Sequence, residues 1–123
     1  MEKRKITFYT HFEEKNGIKE WRYLHKLHRR NGPAIIREDG SYEYYILGHM
    51  HREDGPARRL KNGILEYFQF DFLHREDGPA VIYPTGEVEY WLNGKHFSEE
   101  DYYSRAYWVN TGLSTQEEFE RIN

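Results

Sequence analysis

The sequence predicts a mainly β fold: an antiparallel, single-layer sheet of successive 23-residue β-hairpins, with one or two short capping helices at the C-terminus. Three observations predict it. The first is a seven-residue phrase that occurs three times, as His28-Arg29-Arg30-Asn31-Gly32-Pro33-Ala34, His51-Arg52-Glu53-Asp54-Gly55-Pro56-Ala57 and His74-Arg75-Glu76-Asp77-Gly78-Pro79-Ala80. Both intervals are 23 residues, so one supersecondary unit is copied and stacked. The second is that other positions keep the same period: Gly17, Gly40, Gly63 and Gly86, then Glu20, Glu43, Glu66 and Glu89, then Trp21, Tyr44, Tyr67 and Tyr90. The third is composition. A chain of 123 residues that is 37% hydrophobic but 17% aromatic is one domain with little aliphatic core, and its 11 Tyr suit a thin sheet with half-covered faces.

The elements follow in order. Ile6 to Phe12 reads as a strand, running through Glu13-Glu14-Lys15 into the turn dipeptide Asn16-Gly17. Ile18 to Leu24 is its hairpin partner, with Trp21 and Tyr23 on one face and Glu20 and Arg22 on the other. These residues form a degenerate first copy, from about residue 5 to residue 27. Each later copy is a short strand, a tight turn and a second short strand, turning at Asp39-Gly40, Asn62-Gly63 and Pro84-Thr85-Gly86. Asp-Gly and Asn-Gly supply the positive φ angles of type I′ turns. The phrase then reads as the return turn between hairpins. Asp54-Gly55 and Asp77-Gly78 reverse the chain, the following Pro needs no ladder donor, and Ala57 and Ala80 mark a close approach.

Alternation assigns the faces. Tyr42, Tyr44 and Ile46 share one, with Leu65 and Tyr67 and with Val88, Tyr90 and Leu92; this apolar face is expected to be the packed one. The opposite face carries Glu43 and Tyr45, Glu66 and Phe68, Glu89 and Trp91, as one acidic and one aromatic stripe. Arg29, Arg52 and Arg75 recur at the same period and are expected to pair with the Glu stripe. The array spans residues 1–97. Residues 98–123 form a helical cap within the same domain, starting at Phe97-Ser98-Glu99-Glu100-Asp101 with an N-cap and acidic first turn. Tyr102, Tyr103, Ala106 and Tyr107 line this helix, which stops near Asn110-Thr111-Gly112. A second start lies at Ser114-Thr115-Gln116-Glu117, with Phe119 and Ile122 inward. Covering the last strand's edge, or one face of the sheet, is the expected role.

Composition narrows function. Without cysteine there is no disulfide, thiol nucleophile or Cys-ligated metal. No apolar run is long enough to span a bilayer and nothing resembles a signal peptide, so the expected location is cytoplasmic. The net charge of −3 argues against general nucleic-acid binding, and it is uneven: +5 over residues 1–30, −4 over 31–97 and −4 over 98–123. His28, His51 and His74 cannot converge on one metal, because the outer two would lie roughly 19 Å apart across the strands. They read as turn histidines bonded to backbone rather than a pH switch. Every carboxylate and His of the repeat is replicated, whereas an active site needs a distinct pair in a cleft. The expectation is no enzyme, no cofactor and no metal.

Tyr90-Trp91-Leu92-Asn93-Gly94-Lys95, the 23-residue period and a hairpin per copy resemble the membrane occupation and recognition nexus (MORN) repeat. The closer likeness is to a bacterial and viral variant carrying His-Arg-Glu-Asp-Gly-Pro-Ala, over about residues 5–97. The resemblance implies a sheet of successive hairpins serving as a scaffold for protein contacts. Here His-Arg-x-Asp-Gly replaces the usual His-Gly-x-Gly, and no membrane role is carried over. The functional expectation is a protein-interaction module, an inhibitor or adaptor of phage or bacterial type that binds a host protein. Its contact residues would be Tyr45, Phe68 and Trp91 with Arg52, Arg75, Glu66 and Glu89, the aromatic and Arg composition of hot spots. The alternative is capture of a small anionic, nucleotide-like ligand, stacked on rings with Arg or His on phosphate, held between two protomers.

Overall fold

The structure is a computed structural model and describes residues 10–104. Its first hairpin joins β1 (His11–Lys15) to β2 (Ile18–Tyr23) through Asn16-Gly17, whose φ angles of 53° and 76° make the expected type I′ turn. β1 runs through Glu13, Glu14 and Lys15 to the turn, which an edge strand exposed along its whole length tolerates. Residues 6–9 of the expected strand lie outside the described residues. Beyond β2 come β3 (Lys26–Leu27), β4 (Ile35–Arg37), β5 (Tyr42–Glu43), β6 (Tyr45–Ile46), β7 (His49–Met50), β8 (Arg58–Arg59) and β9 (Leu65–Glu66). The array ends with β10 (Phe68–Gln69), β11 (Phe72–Leu73), β12 (Val81–Ile82), β13 (Val88–Leu92) and β14 (Lys95–Phe97), followed by a helical segment, α1, at 99–104.

One antiparallel sheet runs in the order β1-β2-β4-β5-β8-β9-β12-β13-β14, with β3 also on β2, and β6-β7 and β10-β11 form separate two-stranded ladders. The mainly β, antiparallel hairpin architecture is therefore as the sequence predicts. Its details differ in three ways. The turns at Gly40, Gly63 and Gly86 are three-residue loops instead of type I′ turns. Gly40 N–H donates to Arg37 O while Arg37 N–H donates to Ser41 O, and the same pair of bonds recurs at Leu60/Gly63/Ile64 and Tyr83/Gly86/Glu87. This is a type I turn closed by a bulge with glycine left-handed, at φ 88°, 92° and 92°. Asp39, Asn62 and Thr85 contribute through side-chain oxygens instead, accepting the amides of Ser41, Ile64 and Glu87 at 2.8, 3.2 and 3.3 Å.

Second, each copy contains a further hairpin. Leu47-Gly48 joins β6 to β7, Phe70-Asp71 joins β10 to β11, and Asn93-Gly94 joins β13 to β14, each with both central residues at positive φ. Leu24-His25 does the same between β2 and β3.

Third, the phrase does not reverse the chain. β7 and β8 both run antiparallel to the β5–β6 line, so the segment between them returns the chain to the main sheet without a net turn. Both ends of this loop close on one residue: His51 N–H donates to Tyr44 O at 3.1 Å and Tyr44 N–H to Ala57 O at 2.7 Å. Trp21 pins His28 and Ala34 in the same way, and Tyr67 pins His74 and Ala80. The phrase is a large bulge anchored on the conserved-period aromatic of its own copy.

The core is correspondingly thin and shared. Ala34, Ala57 and Ala80 are fully buried, as their close approach required, and Tyr90 is buried on the same face. Ile35 and Val81 are buried on the other face, opposite the Glu residues, and Val88 on the expected packed face is exposed. Neither face is the packed one, because a single layer buries side chains mainly against its own neighbours.

The cap begins as expected. Ser98 is the N-cap, its Oγ accepting Asp101 N–H at 3.1 Å and its carbonyl accepting Tyr102 N–H at 2.9 Å. Among the described residues Tyr102 is the largest fully buried side chain, whereas Tyr103 is half-exposed. The hydroxyl of Tyr102 donates to Arg75 O at 2.6 Å and accepts Gly78 N–H at 3.1 Å, so it locks the third phrase. Its ring lies 4.7 Å from that of Tyr90. Ala106, Tyr107 and the second expected helix fall outside the described residues.

Candidate functional site

Register places one line of residues straight across the sheet: Glu13, Glu20, Ile35, Glu43, Arg58, Glu66, Val81 and Glu89 are successive cross-strand partners. Cross-strand partners share a face, so this is the expected acidic stripe. Two residues further along the strands come Tyr45, Phe68 and Trp91. Five of the predicted site residues, Tyr45, Phe68, Trp91, Glu66 and Glu89, are thus brought to one face.

Each member is fixed by its neighbours. Tyr45 Oη donates to Glu43 Oε1 at 2.7 Å, and Arg37 closes on the other oxygen of Glu43 at 2.6 Å. Burial, reinforced by this bond to Glu43, pushes the Tyr45 hydroxyl up to about 12. Glu66 accepts from Arg58 Nε at 2.6 Å, and the Arg58 guanidinium lies 5.3 Å from the Phe68 ring. Glu89 accepts from Tyr83 Oη at 2.6 Å and from Trp91 Nε1 at 2.9 Å. The Tyr83 bond first, then the Trp91 bond, hold the Glu89 carboxyl below its ordinary value against the opposing effect of burial. The Trp91 ring is also tilted against His96, with centroids 5.0 Å apart. The rings are therefore half-buried, oriented platforms rather than mobile side chains.

Arg52 and Arg75 are not part of this face, and the expected pairing of Arg29, Arg52 and Arg75 with the Glu stripe does not form. Their guanidiniums instead roof the aromatic that anchors each phrase: Arg29 over Trp21 at 3.8 Å, Arg52 over Tyr44 at 4.1 Å and Arg75 over Tyr67 at 4.0 Å. Those rings point to the opposite side of the strand from Glu43 and Glu66, which is the physical reason for the correction. Arg52 donates to Pro56 O at 3.0 Å and to Asp54 Oδ1 at 3.0 Å, and Arg75 to Pro79 O and Asp77 in the same geometry. The phrase glycine makes this possible by its lack of a side chain: a Cβ at Gly55 would stand 2.8 Å from Arg52 Cζ, and at Gly32 and Gly78 2.9 Å from Arg29 and Arg75.

The partners of the Glu stripe are the residues that sequence reasoning missed. Arg22 pairs with Glu20, Arg37 with Glu43, Arg58 with Glu66, and Tyr83 with Glu89. They do not keep one residue type or one place in the period, so repetition could not reveal them.

The histidines act as expected of turn histidines. Nδ1 of His28, His51 and His74 accepts the amides of Leu47, Phe70 and Asn93 at 2.9, 3.2 and 2.9 Å, each stitching a phrase to the hairpin tip of the next copy. Burial, aided by the charge of Arg30, holds the His28 imidazole below its ordinary value. Between the second and third phrases lies an open groove of about 420 Å³, with Arg52 and Arg75 in its walls beside Glu53, Asp54, Glu76 and Asp77. The guanidiniums there are committed to ring and carbonyl, and the four carboxylates disfavour an anion. Among the described residues no helix is long and apolar enough to cross a membrane and no group of three His, Asp or Glu is placed to hold a metal.

No protein-family model matches the chain, and no curated protein or solved structure is significantly similar to it.

Proposed function

We propose that the chain is a non-enzymatic protein-interaction module whose contact surface is the Glu face of the sheet, centred on Tyr45, Phe68 and Trp91. The observation that carries this reading is the locked row of rings. Tyr45 and Trp91 are each hydrogen-bonded to the Glu two residues before them, and Phe68 sits beside the Arg58–Glu66 pair. Rings held in place before contact lose little rotamer freedom on binding, so more of their burial appears as affinity. Glu66 and Glu89 orient the platform, and Arg52 and Arg75 shape the phrase loops on the opposite side.

A MORN-like scaffold accords with the 23-residue hairpin unit, and the replicated His-Arg-Glu-Asp-Gly-Pro-Ala phrase, built into bulges and Arg–ring stacks, serves architecture rather than chemistry. On this reading the protein works in the cytoplasm as a phage or bacterial inhibitor or adaptor of a host protein. The test is affinity capture from host lysate, comparing the native chain with a Phe68→Ala/Trp91→Ala variant whose circular dichroism is unchanged. A protein retained stoichiometrically by the native chain and lost by the variant is expected. Equal retention by both would remove this face from the interaction.

A further inference from the structure

Leu24, Leu47 and Phe70 occupy the first position of three consecutive type I′ hairpins, at φ 50°, 46° and 44°. A bulky side chain is strained there, and the fourth hairpin has Asn93, at φ 49°, which suits the position. The three side chains are also poorly covered, at 70%, 42% and 56% exposure, and Phe72 beside Phe70 is 57% exposed. Neither backbone preference nor burial accounts for large apolar residues at these tips, and strain that the fold does not need points to function. Phe70 has a partial structural use, its ring stacking on His51 at 4.1 Å.

We propose that these tips form an apolar ridge that docks an acidic amphipathic α-helix of a partner protein. Charge and spacing select this occupant. Residues 22–27, 45–50, 68–73 and 91–96, which make up the four tips, carry Lys26 and Lys95 against Asp71 as the single carboxylate, with Arg22 drawn onto Glu20 at 2.7 Å, a net +1 in a chain of −3. Asp71 is held internally, by His49 at 2.6 Å and by the Met50 amide at 2.8 Å. The ridge therefore presents cations, Lys26 and Lys95, towards its two ends. Successive tips lie two strands apart, roughly 10 Å. A helix repeats a face every seven residues, about 10.5 Å, whereas an extended strand repeats one at about 7 or 13 Å. A polyproline segment repeats at about 9 Å but docks on aromatic rings, and two of the three tips are Leu. The ridge uses the turn residues at the ends of the strands that carry Tyr45, Phe68 and Trp91, and not those rings themselves.

The experiment is selection of a phage-displayed library of random peptides, about 21 residues long, on the immobilised full-length chain, with a Leu24→Asn/Leu47→Asn variant as counter-selection. That variant leaves the His51–Phe70 stack intact and puts a tolerated residue at both turns, so its melting temperature should be unchanged or higher. Enriched peptides should carry apolar residues at i, i+3 or i+4 and i+7 with an excess of Asp and Glu. They should bind the variant at least tenfold more weakly. Lys26→Glu/Lys95→Glu, which leaves the turns untouched, should weaken them too, while Phe68→Ala/Trp91→Ala should not. Basic or proline-rich winners, no enrichment, or equal binding by the Asn variant would overturn the proposal. A dimer of the native chain in sedimentation that the Asn variant abolishes would also overturn it, by placing a second copy on the ridge.

Discussion

Arg52 and Gly55 are one device, although they stand three residues apart. The guanidinium lies on the Tyr44 ring and donates to Pro56 O, in space that any Cβ at Gly55 would take. Gly55→Ala should therefore displace Arg52 and cost about 1–2 kcal/mol, the sum of a stacking contact and a partly exposed hydrogen bond. In an Arg52→Ala background the same change should cost far less, which thermal melts of the four proteins in a double-mutant cycle will read. Additive losses would mean that Gly55 serves something other than the guanidinium. His28 makes a second residue-level prediction. Its Nδ1 must be unprotonated to accept Leu47 N–H, and its folded pKa lies below the ordinary 6.5. As the pH falls below 6.5 the unfolded chain takes the proton first. The stability His28 contributes is complete above that value and lost as the pH drops through the depressed folded one. Melting temperature should fall on acidification from about pH 7.5 to about pH 5.5. His28→Gln, which can still accept the amide, should be less sensitive, and identical pH dependence would refute the assignment. A separate loss should follow at lower pH, as Asp39, Asp71 and Glu89 are protonated, because all three carboxyls are held below their ordinary values.

At the scale of elements, α1 replaces what a further copy would have supplied. In the other copies an Arg roofs the periodic aromatic; on Tyr90 the Tyr102 ring takes that place. Tyr102→Phe keeps the ring and removes both the bond to Arg75 O and the acceptor for Gly78 N–H. It should cost about 1–3 kcal/mol, because Gly78 N–H would lose its partner in a buried setting. Chemical denaturation checks this, and a change below about 0.5 kcal/mol would show that packing alone holds the helix. The hairpin tips obey a different balance. Their amides are secured by the histidines of the preceding copy, so the turn persists even where Leu47 or Phe70 stands in place of Asn.

For the whole molecule, stability should be close to a sum of similar copies and their interfaces, since each phrase is anchored within its own copy and stitched to the next. Deleting residues 51–73 removes one period and joins Met50 to His74 in phase. The shortened chain should retain a β circular dichroism spectrum and melt several degrees lower. A chain that fails to fold would show that the array is cooperative beyond nearest neighbours.

The period, a hairpin at each periodic glycine, the Ser98 cap and the face shared by Tyr45, Phe68 and Trp91 were legible in the residues themselves. They follow from local geometry: alternation along a strand and the turn preferences of Gly, Asn and Asp. The tertiary structure decided what depends on contacts between strands. Arg52 turns to Tyr44 and not to Glu66 because the phrase is a bulge closed on the Tyr44 backbone, a fact of pairing that no spacing encodes. Leu47 and Phe70 adopt a conformation their side chains disfavour because a histidine 19 residues earlier binds the turn amide. Local preference is worth about a kilocalorie per residue, and a part-buried hydrogen bond from another copy is enough to override it.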